Sequence, residues 1–182
     1  MLDHLSDKTR EDKGASFDGT HSIIASSQTT LEAAAFYAKT HGIKVTVLGD
    51  DIEGESKDIG RSFAQQVLQE NKRPHLYLSG GETTVTVKGT GRGGPNSEFL
   101  LSLALELNGA KSIFALACDT DGIDGSEGNA GAIIKPNTLI QAKKYGIDAQ
   151  TCLKNNDAYS FFKTLGDLVE TGPTYTLSLI HI

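Results

Sequence analysis

Basic charge, cysteine and long apolar runs are all scarce in this sequence, and each scarcity argues against a class of function. The sequence has 17 lysines and arginines but 23 aspartates and glutamates, and the resulting net charge of -6 gives no basic footprint for nucleic acid. Cys118 and Cys152 are too few for a disulfide framework or a zinc site. No stretch reaches the ~20 apolar residues of a membrane span, and no signal-peptide pattern opens the chain. We therefore expect a cytoplasmic protein without nucleic-acid or membrane partners.

Glycine, by contrast, is plentiful: there are 20 glycines and only 4 prolines among 182 residues. Glycine is used where the backbone needs a positive φ or where a ligand approaches it closely. A local group of N–H donors at such a turn can bind a small anion even in an acidic protein.

The length of the chain is sufficient for one domain, or for one domain and a piece of another.

Strands and helices alternate along the chain. Strands are predicted at residues 21–25, 44–48, 75–79, 83–87, 113–118 and 132–134, and helices at residues 31–40, 56–70, 96–107, 136–145 and 158–165. This order predicts an α/β fold with a mixed, largely parallel sheet and helices on both faces. The apolar run at 113–118 is typical of a strand buried on both faces. A change of composition near 71–74 predicts a boundary between a unit at 1–73 and a domain at 74–182.

The sequence LSGGETT at residues 78–84 joins two predicted strands. Its two glycines could turn the backbone so that N–H groups converge on an anion, but a tight hairpin turn explains them about as well. A carboxylate at position 82 could accept a substrate hydroxyl or hold a metal-bound water. The candidate ligand contacts here are Ser79, Gly80, Gly81, Glu82 and Thr83.

The sequence KGTGRGGPNSE at residues 88–98 lies between a strand and a helix and is the sharpest indication of an anion site. Free N–H groups and the positive end of the helix dipole would point into such a loop. Arg92 adds a planar fork of donors suited to phosphate or carboxylate. A flexible loop before a capped helix is the structural alternative. The candidate phosphate or substrate contacts are Lys88, Gly91, Gly93, Asn96 and Glu98.

The same loop also fits a dinucleotide-binding pattern. Gly89, Gly91 and Gly94 have the required spacing, and Asp119 ends the next predicted strand. Arg92 inside the turn and Pro95 after the third glycine argue against it, and the acid lies in a cluster rather than alone. This second interpretation predicts an NAD(P)H-dependent reductase.

A cluster of acids, DTDGIDG at residues 119–125, follows the apolar strand at the edge where α/β proteins usually bind ligands. Carboxylates are the oxygen donors that magnesium takes while it keeps several waters. Asp-Gly pairs are also common turn formers whose carboxylates bond their own backbone. We take Asp119, Asp121 and Asp124 as candidate metal ligands and expect at least one of them to be functional.

Together these blocks resemble the MOFRL domain of the glycerate 2-kinase family, some members of which carry the label hydroxypyruvate reductase. The likeness covers LSGGETTVTVK, GTGRGGPN with the Glu-Phe pair at 98–99, and DTDGIDG, and it extends to IASSQ at 24–28, LEAA at 31–34, NND at 155–157 and TGPT at 171–174. The resemblance implies ATP-dependent phosphorylation of D-glycerate to 2-phosphoglycerate, with magnesium, in a cleft between two α/β domains.

By position in the motifs, the resemblance assigns roles to particular residues. Arg92 would stabilise charge on the transferring phosphoryl group, and Gly80, Gly81 and Glu82 would line the cleft. Asp121 and Asp124 would hold metal or substrate. Phosphoryl transfer depends mainly on positioning and charge neutralisation, which such a set of residues would supply.

The chain departs from the family pattern at both ends. Residues 1–73 resemble only the end of the family's first, Rossmann-like domain, and residues 177–182 (LSLIHI) do not match the expected continuation. We therefore expect half of the active site and no kinase activity without the N-terminal domain of the enzyme. A non-catalytic ligand-binding fragment is a third interpretation, and a homodimer stays open.

Overall fold

The computed structural model describes residues 26–69 and 74–175. The helices are α1 Ser27–Thr40, α2 Ser56–Gln69, α3 Pro95–Leu107, α4 Thr138–Lys144, α5 Ala149–Lys154 and α6 Ala158–Leu165. The strands are β1 Lys44–Val47, β2 Ile52–Glu55, β3 His75–Leu78, β4 Gly81–Thr84, β5 Ala115–Cys118, β6 Gly131–Ile134 and β7 Leu168–Val169. The strand predicted at 21–25 and the ending at 177–182 lie outside these residues. So does most of the boundary predicted near 71–74, and the domain division stays a prediction.

Two pairs of parallel strands form the first part of the fold. β1 pairs with β3 and β2 pairs with β4. The β1–β3 pairing continues just beyond β1, where Leu48 N donates to Leu78 O and Gly80 N donates to Gly49 O, both at 2.8 Å. The predicted α/β fold with parallel strands is therefore confirmed. β3 and β4 do not pair with each other, so the glycines at 80–81 do not form a hairpin turn.

The third sheet is antiparallel, in the order β5–β6–β7. β5 and β6 are joined by the loop at 119–130 without a helix, as antiparallel neighbours allow. The sheet content is thus mixed, and the acidic motif at 119–125 lies inside the antiparallel part, between β5 and β6.

Helix α3 is the centre of the main core. Leu100, Leu101, Leu103 and Ala104 are buried on it, each leucine contributing about 1.5–3 kcal/mol. Helix α2 packs closely on α3 at Gly60. A Cβ there would lie 2.3 Å from the Phe99 carbonyl oxygen, so the contact depends on glycine at this position. This packing gives a fixed base to the loops at the N-terminus of α3.

Strand β5 is not buried on both faces within the described residues. Ala117 is 3% exposed, whereas Phe114, just before the strand, is 69% exposed and Leu116 is 46% exposed. Both side chains line a broad, mostly apolar groove that also runs along β3 and helices α1 to α3. The expectation of two-sided burial is therefore wrong for this part of the chain. None of the described helices combines the length and the apolar character needed to cross a membrane.

Candidate functional site

The glycine loop (residues 88–94) is bound through its main chain to the asparagine segment (residues 155–157), which lies just before α6. Five consecutive N–H groups of the loop donate to this segment. The bonds are Lys88 N to Asn156 Oδ1 at 2.8 Å, Gly89 N to Asn156 Oδ1 at 2.9 Å, Thr90 N to Asn155 Oδ1 at 3.1 Å, Gly91 N to Asn155 O at 2.9 Å, and Arg92 N to Asp157 Oδ1 at 3.1 Å. These five N–H groups are therefore bonded within the chain and do not point towards an anion at the surface.

Close packing accounts for most of the glycines in this loop. A Cβ at Gly89 would lie 2.2 Å from the Asn155 carbonyl oxygen, and one at Gly91 would lie 2.4 Å from the Asp157 Cβ. A Cβ at Gly94 would meet Asp124 at 2.3 Å, while Gly93 has a φ of +150°. The glycines allow the loop to lie against its neighbours, because the missing Cβ leaves room for another part of the chain to approach closely.

The N-terminus of α3 is capped by a carboxylate from another loop. Asp124 Oδ1 accepts from Asn96 N and Oδ2 accepts from Ser97 N, both at 2.9 Å, and Asn96 Nδ2 also donates to Oδ1 at 3.3 Å. Asp124 is fully buried. The positive end of the helix dipole is thus neutralised by an internal anion rather than left open to a ligand.

The side chain of Arg92, unlike its backbone, remains at the surface. The guanidinium lies over the ring of Tyr159, 4.7 Å from the ring centroid, and Nη1 is 3.4 Å from Glu127 Oε2. The Arg92 side chain is nevertheless 55% exposed. The Tyr159 N–H donates to the Arg92 carbonyl oxygen at 2.9 Å, so the backbone of this arginine is bonded on both sides. Lys88 is also exposed.

Glu98 lies behind the glycine loop and is only 3% exposed. Its Oε2 accepts from Asn156 Nδ2 at 2.8 Å, and its Oε1 has no hydrogen-bond partner among the described residues. Burial raises the pKa of the Glu98 carboxyl, while the Asn156 bond and the Lys57 charge act in the opposite direction. Glu98 therefore contacts the asparagine segment instead of an open site.

A second acid, Glu55 at the end of β2, holds the residues that precede the glycine loop. Its Oε1 accepts from the Thr86 N–H and its Oε2 from the Thr86 hydroxyl, both at 2.9 Å. Lys57 Nζ lies 3.1 Å from Glu55 Oε1. The Thr86 backbone bond, aided by Lys57, lowers the pKa of Glu55. Sequence patterns alone gave no signal for this contact.

The candidate residues at 79–83 connect β3 to β4 and include the first three residues of β4. Ser79, Gly80, Gly81 and Thr83 line the apolar groove together with Asn96, whereas Glu82 is exposed. Gly81 has a φ of +148°, and a Cβ there would lie 2.1 Å from the carbonyl oxygen of Ile52, its partner in the β2–β4 pair, so the close pairing of these strands requires glycine. Asn96 thus both lines this groove and bonds Asp124.

The remaining acids mainly bond their own loop. Asp119 Oδ1 accepts from Asp121 N at 3.2 Å, and Asp121 Oδ1 accepts from Ile123 N at 2.7 Å. Burial, together with the charges of Asp121 and Asp124, raises the pKa of Asp119. Within residues 26–69 and 74–175 no three acids, histidines or cysteines are grouped closely enough to hold a metal ion. The three predicted acids therefore do not fit a complete magnesium site by themselves.

Cys118, at the end of β5, has no nucleophilic character in this environment. Burial raises the pKa of its thiol to about 11, and the nearby charges of Asp124 and Asp119 act in the same direction. The thiol is therefore protonated at neutral pH and packs as a small apolar side chain.

The structure brings two of the three predicted motifs into direct contact. The glycine loop contacts the loop at 119–130, which carries the acidic motif. Gly94 lies against Asp124, and Arg92 pairs with Glu127. Sequence reasoning missed the role of the asparagine segment, whose residues it identified only as part of the family resemblance. Their type was a weak signal, because asparagine and aspartate side chains often bond backbone N–H groups.

Comparison with known proteins gives consistent matches. The model of the MOFRL family matches residues 75–177. The chain is 47% identical over 162 residues to an Agrobacterium vitis protein that carries the provisional name hydroxypyruvate reductase, covering 85% of the chain and 42% of that protein. It is 37% identical over 161 residues to the glycerate 2-kinase of Pyrococcus horikoshii, covering 85% of the chain and 36% of that protein.

A solved structure gives the same result at the level of the fold. The crystal structure of glycerate kinase from Thermotoga maritima superposes with a TM-score of 0.82 at 34% identity, covering 88% of this chain and 40% of that one. The chain thus spans less than half of the length of each protein that it matches here. Since the family model covers more than half of the sequence, the chain belongs to the MOFRL family.

Proposed function

We propose that this chain supplies the Arg92 side of the active site of a glycerate kinase, which transfers a phosphoryl group from ATP to D-glycerate and gives 2-phosphoglycerate. The names of the relatives from Pyrococcus horikoshii and Thermotoga maritima support this reaction. The rest of the site would come from the other domain of the enzyme. The chain by itself is expected to bind nucleotide without turnover.

The observation that carries the proposal is the arrangement of Arg92. Its backbone N–H and carbonyl are both bonded, and its guanidinium rests on Tyr159 while remaining 55% exposed. A planar cation on a fixed backbone suits the charge that develops on a transferring phosphoryl group. The loop N–H groups point inward, so the phosphate contact is assigned to the side chains of Arg92 and Lys88.

Magnesium belongs to the proposal as the ion that accompanies ATP and neutralises phosphate charge. Of the three predicted metal ligands, Asp119 and Asp121 are half-buried and bond N–H groups of their own loop. Asp124 is fully buried, and both of its oxygens already accept from N–H groups at the N-terminus of α3, so it offers no oxygen at the surface to an ion. No step of the reaction is assigned to these carboxylates.

The alternative, a nicotinamide-dependent reductase, has a specific difficulty. A dinucleotide pyrophosphate would need the N–H groups of the glycine loop and the N-terminus of the following helix. Both are already used, by the asparagine segment and by Asp124. The name of the Agrobacterium vitis relative keeps this candidate worth testing, but the geometry of the loop disfavours it.

We expect the chain to bind Mg·ATP and to lose about tenfold to a hundredfold of that affinity in Arg92→Ala, because charge-assisted hydrogen bonds contribute about 1.5–3 kcal/mol. Isothermal titration with Mg·ATP and with NADH measures this. Arg61→Ala is the matched control, since the side chain of Arg61 is 52% exposed and also pairs with an acid.

Tight NADH binding that Arg92→Ala leaves intact would favour the reductase instead. Binding of neither nucleotide would favour a fragment without a ligand site of its own. Equal losses in Arg92→Ala and Arg61→Ala would mean that the effect is one of overall charge rather than of the glycine loop.

A further inference from the structure

We propose that Asn156 is the positioning residue of the glycine loop and that the buried carboxylate of Glu98 fixes the orientation of its side-chain amide. Asn156 Oδ1 accepts from two loop N–H groups at 2.8 and 2.9 Å. Its Nδ2 donates to Glu98 Oε2 at 2.8 Å and to the Thr86 carbonyl oxygen at 3.4 Å. Backbone N–H groups only donate and an ionised carboxylate only accepts, so the two neighbours require opposite ends of the amide.

The contact is specific because, among the described residues, Asn156 supplies the hydrogen-bond donor that the Glu98 carboxylate accepts from. Glu98 is 3% exposed, and within the described residues only one of its two oxygens has a hydrogen-bond partner. The charged groups that face it are Lys57, from the start of α2, and Glu55, from the end of β2. A rotated Asn156 amide would set its carbonyl oxygen against the carboxylate and its NH₂ against the N–H groups of the loop, so both contacts would fail together.

The backbone of Asn156 supports the same arrangement. Its φ of +53° is in the left-handed region, which asparagine adopts more readily than most residues. The side chain can therefore bridge the glycine loop and α3 without displacing Asn155 and Asp157, which hold the next N–H groups. The orientation of one amide thus sets the path of the backbone that carries Lys88 and Arg92. The importance of this path for phosphate rests on the proposed function.

A swapped pair of side chains tests the proposal. Asn156→Asp keeps an acceptor for the loop but removes the donor and places a second carboxylate against Glu98. In the double variant Glu98→Gln with Asn156→Asp, the new glutamine can donate to the new aspartate, so the required donor and acceptor are restored with their positions exchanged. Asn108→Asp is the matched control, since Asn108 is an exposed asparagine with a φ of +45° at the end of α3.

Hydrogen exchange of the N–H groups at 88–92, measured without nucleotide, is the readout. We expect about tenfold faster exchange in Asn156→Asp, recovery in the double variant, and no change in Asn108→Asp. Unchanged exchange in Asn156→Asp would overturn the proposal. A double variant that exchanges as fast as the single one would also overturn it, because a purely structural loss would not recover.

A second variant covers the case in which Asn156→Asp does not fold. Asn156→Gly suits the positive φ and adds no charge, and we expect faster exchange in the glycine loop with unchanged exchange in α6. If the N–H groups at 88–92 exchange as slowly in Asn156→Gly as in the unchanged chain, the inference is contradicted. If the loop is loosened in these variants but the Mg·ATP affinity stays the same, the proposed phosphate role fails while the positioning role stands.

Discussion

Replacing Asp124 with alanine is expected to lower the free energy of unfolding by about 3–5 kcal/mol, which is among the largest effects of a single substitution. The carboxylate accepts from Asn96 N and Ser97 N at the N-terminus of α3 and is fully buried. Loss of a helix cap alone costs about 1 kcal/mol. The rest of the loss arises because two buried N–H groups are left without an acceptor and water cannot reach them. Urea-induced unfolding measures the difference.

Asp148→Ala is the matched control for this prediction. Asp148 also accepts from the backbone at a helix N-terminus, from Thr151 N at 2.8 Å, but it is exposed and water can replace it. We expect a much smaller loss in this variant. An equal loss in Asp124→Ala and Asp148→Ala would mean that the Asp124 contact is an ordinary surface cap, and the account of the α3 terminus would then be wrong.

The second large effect is expected for Gly89→Ala. The added Cβ would lie 2.2 Å from the Asn155 carbonyl oxygen, and a backbone atom cannot rotate away as a side chain can. The glycine loop must then separate from the asparagine segment, at a cost of about 1–3 kcal/mol. Mg·ATP affinity should fall together with stability, because Arg92 is carried by the same loop. Thermal unfolding and nucleotide titration of the variant measure both effects.

Gly128→Ala separates this clash from a general effect of losing a glycine. Gly128 is exposed, and a Cβ added there would have no neighbour within 4 Å. Its replacement is expected to leave stability unchanged or to raise it by about 0.4–1 kcal/mol. If Gly89→Ala behaves like Gly128→Ala, the glycines of the loop do not serve close packing.

Several elements could be predicted from the sequence because their periodicity is strong. The helix predicted at 158–165 has the bounds of α6, and the one predicted at 96–107 differs from α3 by one residue. The missed elements are short. Strand β2 has the sequence Ile-Glu-Gly-Glu without apolar alternation, α5 has only six residues, and β7 has two. Their formation depends on neighbours that are distant in sequence.

The motifs were easier to locate than their contacts. The sequence singled out the glycine loop and the acids at 119–125, and the structure brings them together at the N-terminus of α3. The partners of the loop could not be found in this way, since Arg92 N and Asp157 are 65 positions apart. Likewise, the carboxylate of Asp124 was predicted to bind metal, while its bonds to the start of α3 span 27 and 28 positions.

The glycines show why a sequence pattern leaves two interpretations open. Gly89 and Gly91 are compatible with a backbone that faces a phosphate and with a backbone that packs on another segment. Both uses require the missing Cβ, and the sequence does not say which neighbour occupies the space. Only the position of residues 155–157 distinguishes them, and it moves the proposed phosphate contact from the main chain of the loop to its side chains.

The central claim is that phosphate binds to the side chain of Arg92 and not to the backbone N–H groups of the glycine loop. Nuclear magnetic resonance of the isotopically labelled chain, titrated with Mg·ATP, tests it most directly. The account predicts large shifts of the Arg92 guanidinium signals, while the amides of Gly89 and Gly91 keep their slow hydrogen exchange. Large shifts of those two amides with an unchanged Arg92 side chain would contradict it.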